Sequence, residues 1–516
     1  MWTLGWIAQA LNTSCQNPDI TITGTVVTDS RQVKPGDLYV ARRGESSDGH
    51  DFLAAAKKAG AAAAIVEQAQ AAETVGIAYV QVPEATRASG WLAHQHLAFL
   101  RQQSGGKKPI CVGITGSAGK TTTKDLLSVL LTKLGKVVAP EKSYNNEVGL
   151  PLTVLKAEED TDFLVLEMGA SGLGHLALLT EIAPLDMAIE LMVGHAHLGG
   201  FGGIEALARA KAELLWGLRN FPEERSFSLS PEAECAKQSF AEDGYQDSFS
   251  QLTAKTSLAI LNIDDERVRQ MARGQAVRYL GSLETANDLG LFAKSNGVYV
   301  SQITMDGKGR AEFLITRGKE SVKVKLGLIG KHNVSNALAA VTAATELGLG
   351  LQDAALVLEK ARPLSEHRLA VREIESDITV IDDSYNANLD SMRSGIKTLQ
   401  TLAQAKGRGR TVAVLGEMLE LGADSAEHHR LVGEACLEAK IAVVITVGEQ
   451  AKPIYAMVSD HAEAQHVENA DKALRVVRQV ISPGDTVLIK GSNVSGGWRI
   501  AYALTGGSNA KWLLWG

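Results

Sequence analysis

Cysteine is scarce in this 516-residue chain: Cys15, Cys111, Cys235 and Cys436 are scattered, and no two form a Cys-x-x-Cys pair. That excludes a disulfide scaffold and a thiolate zinc site, and it fits a reducing compartment. Aromatic residues make up only 5% of the sequence, too few for a platform that stacks single-stranded bases. Positive charge is not in excess either. The formal net charge of −7 argues against a surface that wraps nucleic acid by neutralising phosphates. No uninterrupted apolar run of about 20 residues exists to span a bilayer. The best candidate, from Leu176 to Val193, is broken by Glu181, Pro184, Asp186 and Glu190, and the N-terminus has no leading basic cluster. A cytoplasmic protein with no membrane partner is expected. Repeats of 20–50 residues are also missing, which sets aside solenoids and propellers.

What is present is 45% hydrophobic residues, 22% charged residues and 50 glycines, the make-up of an α/β chain. The length suggests about three domains. The polar, glycine-rich stretch Gln102-Gln103-Ser104-Gly105-Gly106-Lys107-Lys108 marks one boundary, and Arg362-Pro363-Leu364-Ser365 marks another. In the first block, Asp29-Ser30-Arg31 and the turn Val33–Asp37 precede short strands at Leu38–Ala41 and 61–66. The second block opens with a strand over 109–115, a glycine turn and a helix over 120–134 that Gly135 would cap, and it continues with a strand at Phe163–Glu167. In the third, apolar runs at 378–381, 411–415, 441–447 and 486–489 alternate with helical patterns, as a parallel sheet built by crossovers requires. The polar, aperiodic 219–255 reads as a surface insertion without chemistry.

The sharpest local signal is Ile114-Thr115-Gly116-Ser117-Ala118-Gly119-Lys120-Thr121. A strand entering a glycine turn and then a helix aims backbone N–H groups at one point and favours phosphate there. Lys120 would reach the terminal phosphates and the Thr121 hydroxyl would touch Mg²⁺. The strict phosphate-loop pattern wants glycine where Ile114 stands, and Gly113 sits one place early. A phosphate-bound Mg²⁺ also wants a carboxylate at the end of a neighbouring strand, and Glu167 ends an apolar one. Beyond His195-Ala196-His197 a helix is expected from Ile204 to about Leu218, with Lys211 inside its apolar stripe. Lys211 either snorkels outward or is paired, shifted in pKa or chemically modified.

These segments, with Ala196-His197-Leu198, Ala210-Lys211-Ala212-Glu213, Leu261-Asn262-Ile263-Asp264-Asp265 and Gly330–Ala337, resemble in order the muramyl ligases of peptidoglycan synthesis. Asn145-Asn146-Glu147, Asp382-Asp383-Ser384-Tyr385-Asn386-Ala387-Asn388 and Leu415–Gly422 are similar to the members that add D-alanyl-D-alanine. The resemblance implies an N-terminal α/β domain for a UDP-sugar (1–106), a central phosphate-loop ATPase domain with a parallel sheet (107–364) and a C-terminal Rossmann-like domain (365–516). The implied reaction is amide ligation driven by ATP through an acyl phosphate, joining UDP-N-acetylmuramoyl-tripeptide to D-Ala-D-Ala in a monomer. Another amide ligase of the superfamily, amino-acid-adding or folylpolyglutamate-forming, is the alternative. By the same resemblance, Lys211 would carry a carbamate and, with Glu167 and His197, hold a second Mg²⁺. Lys120, Lys211 and His197 would be catalytic. Gly116, Ser117, Ala118, Gly119, Lys120, Thr121, Thr122, Asn333, Arg368 and Asp383 would contact the nucleotide. Asn145, Asn146, Ser384, Asn386 and Asn388, with Ser30 and Arg31 for the UDP-sugar, would face substrates. The chain departs from the family at Leu191-Met192, where asparagine is usual, and near Asn493–Arg499.

Overall fold

The computed structural model describes residues 2–44, 47–140, 143–194, 201–218, 257–272, 275–292 and 297–506. The 219–255 stretch, His195 and His197 lie outside the described residues. Three larger sheets organise the rest, beside a two-stranded antiparallel pair of Trp2–Thr3 and Thr21–Ile22. The middle one has nine strands, in the order Glu320–Ile329, Arg310–Arg317, Val298–Met305, Ala276–Ser282, Leu258–Asn262, Met187–Glu190, Ile110–Thr115, Phe163–Glu167, Val137–Val138. It is parallel from Val298–Met305 to Val137–Val138 and ends in an antiparallel meander. Its central strands are buried along their whole length, as helices on both faces demand. The meander strand Glu320–Ile329 instead alternates, with Val322, Val324, Leu326 and Leu328 inward.

The C-terminal sheet runs Ala370–Ile374, Ile378–Asp383, Thr486–Lys490, Thr411–Leu415, Val443–Val447, Glu463–Val467, all parallel except the first. Apolar clusters around Leu399 and Val432 on one face and Ala473, Val477 and Ile500 on the other make it doubly wound. The N-terminal sheet is a small parallel one of Val26–Val27, Leu38–Ala41, Ala63–Val66 and Tyr79–Gln81. The mixed α/β class expected from the sequence is what is found. No helix among the described residues is long and apolar enough to cross a membrane.

Helix Ala85–Gln103 joins the first sheet to the second. Glu84 starts it by accepting the N–H groups of Thr86 and Arg87. Trp91, Leu92 and Leu97 share one continuous core with Leu4 and Ile7 on one side and Leu150, Val154 and Leu179 on the other. His94 donates to the Glu181 carbonyl at 2.6 Å, and the fully buried Arg101 pairs with Asp186 at 2.6 Å. The helix covers Gln102 and Gln103, so the irregular part of the expected linker begins only at Ser104.

Two helices differ from expectation. The first spans Lys120–Leu131, not 120–134, because its buried leucine stripe stops at Leu131. Gly135 is not its cap: a Cβ there would lie 2.3 Å from Asp162 Oδ2, so close approach is what requires glycine. The second is helical over Ile204–Ala212 and tightens to a 3-10 turn over Glu213–Gly217, where the Glu213 carboxylate accepts the N–H groups of Gly174 and Ala177.

Candidate active site

Strand Ile110–Thr115 is flanked by Phe163–Glu167 and Met187–Glu190, and ligands gather at such a point beyond the carboxyl ends of parallel strands. The turn leaving it needs its glycines: Gly116 and Gly119 have φ of +152° and +88°. A Cβ on them would stand 2.8 Å from Leu191 Cβ and 2.2 Å from Asn336 Oδ1. Ile114 does not spoil the turn, because it is a buried strand residue that precedes it. Lys120 Nζ donates to the Gly116 carbonyl at 2.8 Å, folding over the loop that would hold phosphate. Burial pushes its pKa below the usual lysine range, with Glu167 opposing.

Ser117 ties the loop to segment 191–194. Its N–H donates to the Met192 carbonyl at 2.9 Å, and Gly194 N–H donates to its Oγ at 2.9 Å. Asn262 grips the Leu191 carbonyl at 2.9 Å, and Asp265 accepts Val193 N–H at 2.8 Å. At the Leu191-Met192 departure it is the backbone carbonyls of both residues that make these contacts, to Asn262 and Ser117.

Two carboxylates bracket the loop strand, since Glu167 pairs in register with Ile114 and Glu190 with Thr115. Glu167 Oε2 accepts from Thr121 Oγ at 2.9 Å and its Oε1 from Asn145 Nδ2 at 3.0 Å, while Ser143 Oγ stands 3.2 Å from Thr121 Oγ. This convergence of hydroxyl and carboxylate oxygens suits a hard cation such as Mg²⁺. Among the described residues no three His, Cys, Asp or Glu side chains gather for a metal. Sequence reasoning passed over Glu190 as an interruption in an apolar run. It is fully buried, and among the described residues neither carboxylate oxygen has a hydrogen-bond partner. Burial raises its pKa well above the ordinary value, opposed by Lys211. Lys211 is likewise buried, not snorkelling, and its pKa is pushed down to about 7, first by burial, then by Lys120, with Glu190 opposing.

The third sheet closes the other wall. Arg368 lies between His367 and Leu369, which have φ of +59° and +49°; its guanidinium sits 4.3 Å from the Tyr385 ring centre and reaches Thr121 Oγ at 3.4 Å. Asp383 is held by Lys490 at 2.6 Å, and Lys490 also donates to the Asn386 carbonyl at 3.1 Å. Asn388 caps helix Leu389–Lys406 and donates to the Ser117 carbonyl at 3.3 Å. Ser365 donates to Asp125 at 2.7 Å.

One cleft of about 660 Å³ is therefore lined by Ser117 to Thr122, Asn145, Asn146, Glu167, Lys211, Asn333, Arg368, Asp383, Asn386 and Asn388. Not every expected residue is on its wall. Ser384 is buried against Asp382, its Oγ 2.6 Å from Oδ1. Ser30 and Arg31 lie on the first unit away from the cleft, with Arg31 paired to Asp29. Besides Glu190, the sequence did not single out Ser143, His175 or Lys490, all on the wall.

Comparison with known proteins agrees with this geometry. Residues 23–96 match the Mur ligase family catalytic domain, 114–225 and 241–344 the Mur ligase middle domain, and 367–493 the Mur ligase glutamate ligase domain. A UDP-N-acetylmuramoyl-tripeptide–D-alanyl-D-alanine ligase of Mycobacterium bovis is 35% identical, the match covering 94% of this chain and 92% of that one. The chain belongs to the Mur ligase family. The Escherichia coli relative of the same name is 32% identical over 97% and 98% of the two chains. Among solved structures, MurF from Acinetobacter baumannii superposes on this Mur ligase with a TM-score of 0.78 at 27% identity, covering 98% of each chain. MurF ligase from Thermotoga maritima in complex with ADP gives 0.70 at 26%, covering 94% and 97%. The middle-domain match breaks only over 226–240, a shorter interruption than the expected 219–255 insertion.

Proposed function

We propose that this Mur ligase joins D-alanyl-D-alanine to UDP-N-acetylmuramoyl-tripeptide at the expense of ATP, releasing ADP and phosphate. The observation that carries the reading is the meeting of Lys120, Thr121, Glu167 and Lys211 with Arg368 and Asp383 in one cleft between two sheets. A carboxylate is a poor electrophile, and phosphorylation gives it a leaving group; what remains is positioning and charge neutralisation. The loop from Gly116 to Thr122 cradles the phosphates, Lys120 meets their terminal oxygens, and Asn333, Arg368 and Asp383 hold the rest of the nucleotide. Thr121 and Glu167 would hold one Mg²⁺. Lys211 as a carbamate, with Glu167 and His197, would hold a second. When bound, Mg²⁺ supplies charge neutralisation at the phosphoryl oxygens.

Asn145, Asn146, Asn386 and Asn388 line the channel toward the acceptor, Ser384 supports that loop, and Ser30 and Arg31 serve the UDP-sugar. The division of labour follows the sheets: 1–106 for the UDP-sugar, 107–364 for ATP and metal, 365–516 for the dipeptide. The protein would act as a cytoplasmic monomer. The test supplies purified protein with ATP, Mg²⁺, UDP-N-acetylmuramoyl-tripeptide and D-Ala-D-Ala and reads product mass and ADP. A product heavier than the tripeptide substrate by one dipeptide less water is expected. ADP release that does not depend on the dipeptide would refute the reading.

A further inference from the structure

On the cleft wall stands a hydroxyl, an imidazole and a carboxylate in series. Ser171 lies four residues beyond Glu167, and His175 is the first residue of helix His175–Ile182. Both line the cleft. Ser171 N–H donates to His175 Nδ1 at 3.1 Å, and Ser171 Oγ is 2.8 Å from the same atom. A backbone N–H can only donate, so Nδ1 is the bare nitrogen and the ring proton resides on Nε2. That nitrogen is 2.9 Å from Glu147 Oε2, and the bond to His175 holds the Glu147 carboxyl below its ordinary range. Ser171 is exposed to the cleft, and the His175 side chain is 14% exposed.

Such a series either makes serine a nucleophile or moves a proton. A nucleophilic serine needs N–H donors for the oxyanion it generates. The nearby N–H groups of Gly174 and Ala177 are taken by the Glu213 carboxylate, at 2.6 and 3.3 Å. Proton transfer is what remains. It is also what ligation requires, because an amine at neutral pH is an ammonium and cannot attack until a base removes its proton.

We propose that Ser171, His175 and Glu147 form the relay that deprotonates the incoming amine, which rests on the amide-ligase reading above. The proton leaves the amine nitrogen for Ser171 Oγ as the serine hydroxyl proton passes to His175 Nδ1. The freed electron pair forms the C–N bond, the carbon–oxygen bond to phosphate breaks, and the second proton of the attacking nitrogen leaves with the phosphate, which departs on the electrons of the broken bond. Glu147 stabilises the imidazolium, Glu213 faces it with a second carboxylate, and Arg42 of the first unit faces Glu147 and opposes them. Ser171 is the group that touches the amine; His175 and Glu147 act through it.

The experiment compares two nucleophiles on the parent enzyme, His175→Gln and Ser171→Ala. With D-Ala-D-Ala, both variants should lose about 100-fold or more in kcat at pH 7 while KM for ATP holds. The acid limb of the ligation pH profile should move to higher pH, since only free amine then reacts. With hydroxylamine, already neutral at pH 7, ADP release and hydroxamate formation should stay within about twofold of the parent. Glu147→Gln, which still accepts the Nε2 proton, should lose less. Equal loss with both nucleophiles, or no loss with either, overturns the relay. A parent that forms neither the dipeptide product nor the hydroxamate defeats the ligase reading, and the relay with it; one that ligates the dipeptide but forms no hydroxamate overturns the relay as stated.

Discussion

Replacing Lys490 by methionine isolates the charge pair that anchors the third sheet's share of the cleft. Lys490 and Asp383 are 2% and 9% exposed, and the ammonium donates to Asp383 Oδ2 at 2.6 Å and to the Asn386 carbonyl at 3.1 Å. Methionine refills the space of the aliphatic stem, so little cavity opens. What is lost is the countercharge, leaving Asp383 with the Leu369 N–H at 3.2 Å. Breaking a buried pair from one side costs about 3–5 kcal/mol. The Asp383 side chain, 12% exposed, reaches some water, which puts the loss near the lower end, about 3 kcal/mol. For a unit of this size a kilocalorie moves the midpoint by about 3–4 °C, so calorimetry of Lys490→Met should show a drop of about 10 °C. Adding Asp383→Asn removes the stranded charge and should recover all but about 1 kcal/mol, because losing both partners is far cheaper than losing one. Dipeptide-dependent ADP release should stay low in the double variant, since the Asn386 carbonyl has lost its anchor. A single variant melting within about 2 °C of the parent, or a double variant no more stable than the single, would refute the reasoning.

Lys211→Ala should abolish ligation, and an added short carboxylate should restore part of it; full activity without rescue counts against a carbamate. Gly119→Ala should weaken ADP binding by about tenfold or more in titration calorimetry, because a left-handed φ and a Cβ 2.2 Å from Asn336 Oδ1 both resist it, and unchanged affinity would deny that the loop binds phosphate. His96 predicts a pH dependence. Trp2 Nε1–H donates to its Nδ1 at 3.2 Å and its Nε2 faces the Ala157 carbonyl at 2.8 Å, so the ring is buried neutral with its pKa lowered by burial to about 4. The unfolded chain therefore binds more protons between about pH 6.5 and 4, and stability falls as pH drops through that window. Between pH 7 and 5 the loss is about 2 kcal/mol, which His96→Gln should remove from melting curves taken at the two values; equal slopes for parent and variant would contradict it.

The central strands were legible because burial on both faces leaves an unbroken apolar run: Phe163–Glu167, Leu38–Ala41 and Thr411–Leu415 have the bounds expected. The phosphate loop was legible because strand, glycine turn and helix are adjacent in sequence. The meander Val298–Ile329 went unread although Val322, Val324, Leu326 and Leu328 alternate with Lys323, Lys325 and Gly327, a signal that was present. Glu190 was harder. An acid inside an apolar strand looks like a break until the register places it across from Thr115, near Lys211. The Ser171–His175–Glu147 series joins residues up to 28 positions apart, a spacing that no local pattern announces. Ser384 shows the converse: the sequence marks it for a substrate, and the fold engages its hydroxyl with Asp382.

The helix Ala85–Gln103 has a consequence for the order in which the protein is made. Its face toward Leu150, Val154 and Leu179 finds no cover until the chain has been synthesised through about Ile182. At ribosomal speeds of about 5–20 residues per second, the nascent chain carries that apolar stripe uncovered for several seconds. During that window the N-terminal sheet is present with its seam open, a client for any chaperone waiting at the ribosome.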